Sequence, residues 1–240
     1  MKRLAILSVF AIVVFSSCRY VSGKRIYGNG HIKTETRSTS SFNSINVSGS
    51  IDVYVRQDSV PGIKVETDEN LQEYIQVEND ADVLYIHTEK GFNIDATGRI
   101  KVYVSSPMFK RFKASGACHI YSENKITSAA RLEYDLSGAC GVKMEINAPD
   151  VDAGLSGACN IELRGQTRDF KVRGSGSTGI SSMELLAENV DIGISGAGDA
   201  EVYASVKLDV NVSGAGSVKY KGNATVNQHV SGAGSVKKME

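Results

Sequence analysis

The 240-residue chain has no tryptophan, only three prolines and no net charge, its 27 basic residues balancing 27 acidic ones. So little proline argues against an extended polyproline linker protein. The charge balance removes any electrostatic case for binding nucleic acid. No apolar run reaches the length that crosses a bilayer as a helix. The four cysteines (Cys18, Cys118, Cys140 and Cys159) include no Cys-x-x-Cys pair, so no zinc-ligand spacing is present. His31, His87, His119 and His229 share no motif. There is no Gly-x-x-x-x-Gly-Lys phosphate loop, and Gly174-Ser175-Gly176-Ser177 lacks the strand-to-helix setting of a nucleophile elbow. Cys118 and His119 are adjacent, and neighbours on a strand point to opposite faces, so they do not form a nucleophile pair. Calcium-binding nonapeptides are missing as well. These absences leave no catalytic residue, no cofactor and no metal site to expect. From residue 42 onward no Asn-Gly or Asp-Gly occurs, which counts against a sandwich built from tight hairpins.

What is present begins at the N-terminus. Lys2 and Arg3 precede an apolar run, Leu4 to Phe15, broken only by Ser8. Twelve residues are too few to span a membrane and suit a signal peptide over residues 1–17. Ser16 and Ser17 then lead into Cys18, an arrangement that resembles a lipobox, with Phe15 in place of the usual leucine. Cys18 is therefore the expected lipidation site and membrane anchor. Without residues 1–17 the chain has 25 basic and 27 acidic residues. Residues 18–40, polar and rich in Gly, Ser and Thr, read as a flexible tether.

The dominant feature is a repeat. Ser-Gly recurs at Ser115, Ser137, Ser156, Ser175, Ser195, Ser213 and Ser231, in steps of 22, 19, 19, 20, 18 and 18 residues. Apolar residues flank each copy at every second position: Val151, Ala153 and Leu155 before Ser156, then Cys159, Ile161 and Leu163 after it. Such alternation marks short strands with one buried face. A step near 20 residues is one coil of a solenoid rather than a propeller blade. The 24 glycines suit sharp corners between stacked coils. The predicted fold is all-β, a right-handed parallel β-solenoid of roughly 18–22-residue coils over residues 115–240. A less regular β-rich section precedes it over residues 41–114. There Ser48-Gly49 looks like one more copy, and Leu71 to Val77 reads as a loop or helical turn.

Three smaller features complete the inventory. Cys118, Cys140 and Cys159 each lie three residues after a repeat serine, so alternation carried through the corner would stack them inward as small hydrophobes. An adjacent-rung disulfide is sterically open to them. Outward acids, among them Glu133, Asp135, Glu145, Asp152 and Asp191, fit a solvated face better than a polysaccharide-cleaving cluster. Asp58-Ser59-Val60 resembles a bacterial O-glycosylation triplet, with Ser59 as acceptor.

The segment Phe42-Asn-Ser-Ile-Asn-Val-Ser-Gly-Ser-Ile-Asp-Val-Tyr-Val55, the later Val102-Tyr-Val-Ser-Ser-Pro107 and the run of Ser-Gly-Ala-Gly copies resemble the head GIN domain family of auto-transporter adhesin-like lipoproteins. The resemblance covers roughly residues 40–238. It implies one continuous β-solenoid domain over residues 41–240 and a cell-envelope location, as an outer membrane lipoprotein facing either the periplasm or the cell surface, and it brings no ligand or catalytic residues with it. The expected function is a non-enzymatic adhesin or scaffold. The alternative is a carbohydrate-binding or carbohydrate-cleaving β-helix. Expected partners are the membrane through Cys18, a glycan or envelope protein, and further copies of the chain through solenoid ends or faces.

Overall fold

The structure, a computed structural model, describes residues 23–240. The signal peptide and Cys18 lie outside the described residues. Eight Ser-Gly corners form one straight column. Along it Ser48, Ser115, Ser137, Ser156, Ser175, Ser195, Ser213 and Ser231 pair in register with their neighbours.

The chain enters through β1 (Lys24–Tyr27) and β2 (Ile32–Arg37), then forms the first coil with β3 (Ser44–Gly49) and β4 (Ile51–Gln57). It next descends beneath that coil through β5 (Gly62–Asp68), a 3-10 helix (Glu69–Tyr74), β6 (Ile75–Asp80), β7 (Val83–Thr88), β8 (Phe92–Asp95) and β9 (Ile100–Ser106). β7 lies parallel under β3, and β9 parallel under β4. β6 and β5 then close the two walls with antiparallel pairings, and β2 adds to β5. The less regular β-rich N-terminal section is thus a cap of mixed parallel and antiparallel topology. The helical turn expected near Leu71 is present, with Leu71 fully buried.

The solenoid resumes above the first coil with β10 (Arg111–Gly116), β11 (His119–Ser122), β12 (Ile126–Thr127) and β13 (Leu132–Gly138). β10 lies between β3 and β13, although Ser48 and Ser115 are 67 residues apart in the chain. Four long strands follow: β14 (Gly141–Gly157), β15 (Asn160–Gly176), β16 (Gly179–Gly196) and β17 (Asp199–Gly214). Each runs most of the way round a coil. In β14 the buried set changes phase, from Val142, Met144, Ile146 and Ala148 to Val151, Ala153 and Leu155, as the chain bends at Pro149-Asp150. β18 (Ser217–Lys221), β19 (Thr225–Gly232) and β20 (Ser235–Lys238) lay the last rungs on β17 and β18.

The corner has a plain cause. In each Ser-Gly the glycine has φ between 93° and 123°, a region that side chains other than glycine's avoid. Its carbonyl points along the solenoid axis and accepts the N–H two residues past the serine of the next coil, as in Ala158 N to Gly138 O at 2.7 Å. A Cβ on Gly157 would sit 2.5 Å from that same Gly138 oxygen. Conformation and space both demand glycine.

The tether expected over residues 18–40 needs correction where it is described: Lys24–Tyr27 and Ile32–Arg37 are strands. Asn29-Gly30 turns between them, with Gly30 at φ 79°. Asp68, fully buried, accepts Gly30 N at 2.7 Å, Thr97 Oγ1 at 2.7 Å and Thr97 N at 3.0 Å, pinning the entry turn to the cap. Composition alone does not reveal these partners, which lie 29 and 38 residues from Asp68.

Candidate functional site

A shallow trough of about 720 Å³ runs parallel to the solenoid axis beside the serine column. It extends from Ser137 to Ser231, across six successive coils. Coils stack at about 4.8 Å, so it is about 24 Å long. One wall is the ladder of six exposed serines, their hydroxyls turned to solvent. The other wall is the outward position two residues earlier in each coil: Asp135, Gly154, Arg173, Gly193, Asn211 and His229, all in register.

Side chains in that second wall alternate with gaps. Arg173 folds over Gly193, where a Cβ would lie 2.7 Å from Arg173 Cδ. Its guanidinium binds the Asp191 carboxylate, and Asp191 O at 3.0 Å. That charge is already compensated. Gly154 is the open gap, its nearest neighbour being Asp135 Oδ1 at 3.7 Å from a built Cβ. The trough therefore offers a largely apolar lining that includes Leu136, Leu155, Ile194 and Val212, a rim of evenly spaced hydroxyls, an open notch and little net charge. Such a lining can make repeated contacts along an extended partner.

The outward acids are absorbed into ion pairs between coils. Arg111 binds Glu133, Lys171 lies 3.5 Å from Asp152, and Glu145 joins Lys125 at 3.1 Å to Arg164 at 3.2 Å. Such exposed pairs contribute little stability individually. Cys118, Cys140 and Cys159 are buried free thiols, each donating to the carbonyl of the serine three residues back, at 3.3, 3.2 and 3.3 Å. Burial pushes the Cys118 thiol up to about 11 and raises that of Cys140 too. Reactive thiolates need the opposite shift. Ser59 is exposed in the turn after β4, its Oγ 3.3 Å from Asp58 Oδ1.

Two features escape a reading of the sequence alone. His119 is held by Asp52, Nδ1 to Oδ1 3.2 Å, across 67 residues of chain. Tyr103, Tyr54 and Tyr121 stack on the outer face of the cap, with ring centroids 5.0 and 5.2 Å apart. A local signal for the stack does exist: Val-Tyr-Val at 53–55 and 102–104, and Ile-Tyr at 120–121. Only the register of β9, β4 and β11 brings those tyrosines into one row. No helix among the described residues is long and apolar enough to cross a membrane.

Comparison with known proteins places this architecture. The chain resembles the crystal structure of a "putative adhesin" of Bacteroides fragilis NCTC 9343 with TM-score 0.84 and 22% identity, over 89% of this chain and 100% of that one. A "putative adhesin" of Parabacteroides distasonis ATCC 8503 matches with TM-score 0.74 and 24% identity, over 90% of this chain and all of that one. A "putative lipid binding protein" of the same organism matches with TM-score 0.62 and 24% identity, over 90% and 100% of the two chains. At these identities the likeness establishes a shared fold. No curated protein matches. The family model described as "Putative auto-transporter adhesin, head GIN domain" matches residues 41–224, and the chain belongs to that family.

Proposed function

We propose that this protein is a non-enzymatic, adhesin-like component of the cell envelope, held to the outer membrane by lipid on Cys18, whose solenoid contacts its partner along the serine trough. The observation that carries the reading is the hydroxyl ladder: six exposed serines in strict register beside a wall notched at Gly154. A rigid row of weak contacts gains strength by multivalency, each further contact becoming intramolecular once the first is made. A glycan strand suits the trough because its sugar units repeat on about the scale of one coil. Membership of an adhesin family supports the same role. Ser59, exposed on a turn, remains a proposed O-glycan acceptor.

Filling the notch tests the contact surface. Gly154 has ordinary backbone angles and open space above it, so Gly154→Tyr keeps the fold and obstructs the trough. Cells displaying that variant should lose adhesion to envelope or host glycans relative to wild type, with circular dichroism unchanged; equal adhesion rules the trough out. The anchor is tested separately. Cys18→Ala should move the protein from the membrane to the soluble fraction and abolish labelling by a fatty-acid probe, whereas retained labelling refutes Cys18 as the acceptor.

A further inference from the structure

The cap strands β2, β5 and β9 continue side by side into β4 of the first coil and β11 of the next, and together they make an outer face. Register fixes one row across it: Thr36, Lys64, Tyr103, Tyr54, Tyr121 and then Lys143 of β14. Tyr54 spends both ring faces on its neighbours, and Tyr103 and Tyr121 each spend one on Tyr54. What they offer outward is a line of edges and phenol hydroxyls, one per strand, about 4.8 Å apart. Burial, and for Tyr103 the neighbouring Glu66, raises the pKa of Tyr103 and Tyr121, so both phenols stay protonated donors.

Beside Tyr103 the face is hollow. Gly62 and Ser105 are paired residues of β5 and β9, and both are small. The hollow they leave measures about 510 Å³, within the range of small-ligand sites. Lys64 and Arg56 stand at its corners, with Glu123 beside Arg56 and Thr36 beside Lys64. The neighbouring charges are paired: Lys101 with Glu66 at 2.8 Å, and Arg56 with Asp58 at 3.6 Å. Among the described residues Lys64 and Glu123 have no ion-pair partner. An uncompensated cation and an uncompensated carboxylate across one hydroxyl-lined hollow select a particular chemistry. Lys64 asks for an anion. Glu123 repels a densely charged one such as a sulfated or phosphorylated polymer, yet accepts hydrogen bonds from neutral hydroxyls.

We infer that this hollow binds an acidic oligosaccharide: one uronate-type residue sets its carboxylate on Lys64 and its ring hydroxyls on Thr36 and the Tyr103 phenol, which flank Lys64, and the next sugar along brings its hydroxyls to Glu123, three strands from Lys64. The site lies on the cap and does not depend on the serine trough, so either assignment can fail alone. The probe is trigalacturonate, titrated into the full mature chain by calorimetry, with its methyl ester as the neutral counterpart. Saturable binding is expected, with the ester at least about tenfold weaker, since a charge-assisted hydrogen bond contributes about that factor. Lys64→Gln should weaken binding of the acid about tenfold and leave the weak binding of the ester unchanged. Lys64→Arg should restore most of it. Gly154→Tyr, which blocks only the trough, should have no effect. Lys64 is exposed on a paired strand, so its replacement leaves the fold intact. No saturable binding at millimolar trigalacturonate, equal binding of acid and ester, or an unaffected Lys64→Gln variant would each overturn the assignment.

Discussion

At the scale of single residues, two glycines of one strand look alike in sequence and differ in physics. Gly154 and Gly157 lie three positions apart in β14. Gly157 adopts φ 97°, and a Cβ there meets the Gly138 carbonyl oxygen at 2.5 Å. Gly154 has no such φ and no close neighbour. Gly157→Ala therefore adds left-handed strain of about 1–2 kcal/mol and a backbone clash that only separation of the coils relieves. Gly154→Ala restricts the unfolded chain without strain and should change stability by less than about 1 kcal/mol, toward stabilisation. Urea unfolding of the two variants checks this. A Gly157→Ala midpoint matching that of Gly154→Ala would show that the corner tolerates a side chain and that the column is not set by its glycines.

At the scale of elements, the entry strands depend on one carboxylate. Burial alone would push the Asp68 carboxyl up, but the Thr97 hydroxyl, the Thr97 N–H and the Gly30 N–H outweigh it and hold it below the usual carboxylate range. A carboxyl lowered in the folded state contributes stability that is present above the unfolded value near 3.9 and is lost as pH falls through the lowered one. Asp68→Asn should cost about 1–3 kcal/mol, because the Gly30 and Thr97 donors lose a charged acceptor. The loss should be local: amide exchange in β1, β2 and β8 accelerates while β14 to β17 keep their protection. Wild type should loosen in the same strands, and first there, as pH drops below the carboxylate range. Uniform acceleration across the solenoid would place Asp68 in the global fold instead. This element also marks the limit of what the sequence makes legible. The coils from Ser115 onward are legible because each Ser-Gly has its partner one coil away, with alternation on both sides. The cap is not, because Asp68 meets Gly30 and Thr97, and Tyr54 meets Tyr103 and Tyr121, through pairings that no fixed period carries. The serine ladder of the trough was visible as the repeat itself. Its second wall, alternating Asp135, Gly154, Arg173 and Gly193, has no common residue type by which to find it.

At the scale of the molecule, stacking order departs from chain order at one joint. Above Ser115 each coil rests on the coil that precedes it in the chain, 18–22 residues earlier. Below Ser115 the support is Ser48, reached only after the cap has folded back beneath the first coil. Closing 67 residues rather than about 20 costs only about 1 kcal/mol more, since loop entropy grows logarithmically. The equilibrium penalty is small, but the order of events is biased. Contacts between nearby coils form early, and the joint must wait for a long-range pairing. Phe112, fully buried, sits at that joint, stacked 5.4 Å from Phe109 and 5.3 Å from Tyr134. Ile161 lies in the middle of the regular coils and is equally buried. Phe112→Ala should cost about 3–5 kcal/mol and Ile161→Val about 0.5–1.5 kcal/mol. In folding kinetics the Phe112 loss should appear as faster unfolding at a nearly unchanged folding rate, and the Ile161 loss as slower folding. Urea chevrons of the two variants measure both limbs. The reverse partition, slow folding in Phe112→Ala and fast unfolding in Ile161→Val, would mean that the cap nucleates the molecule and that the repeat is built upon it.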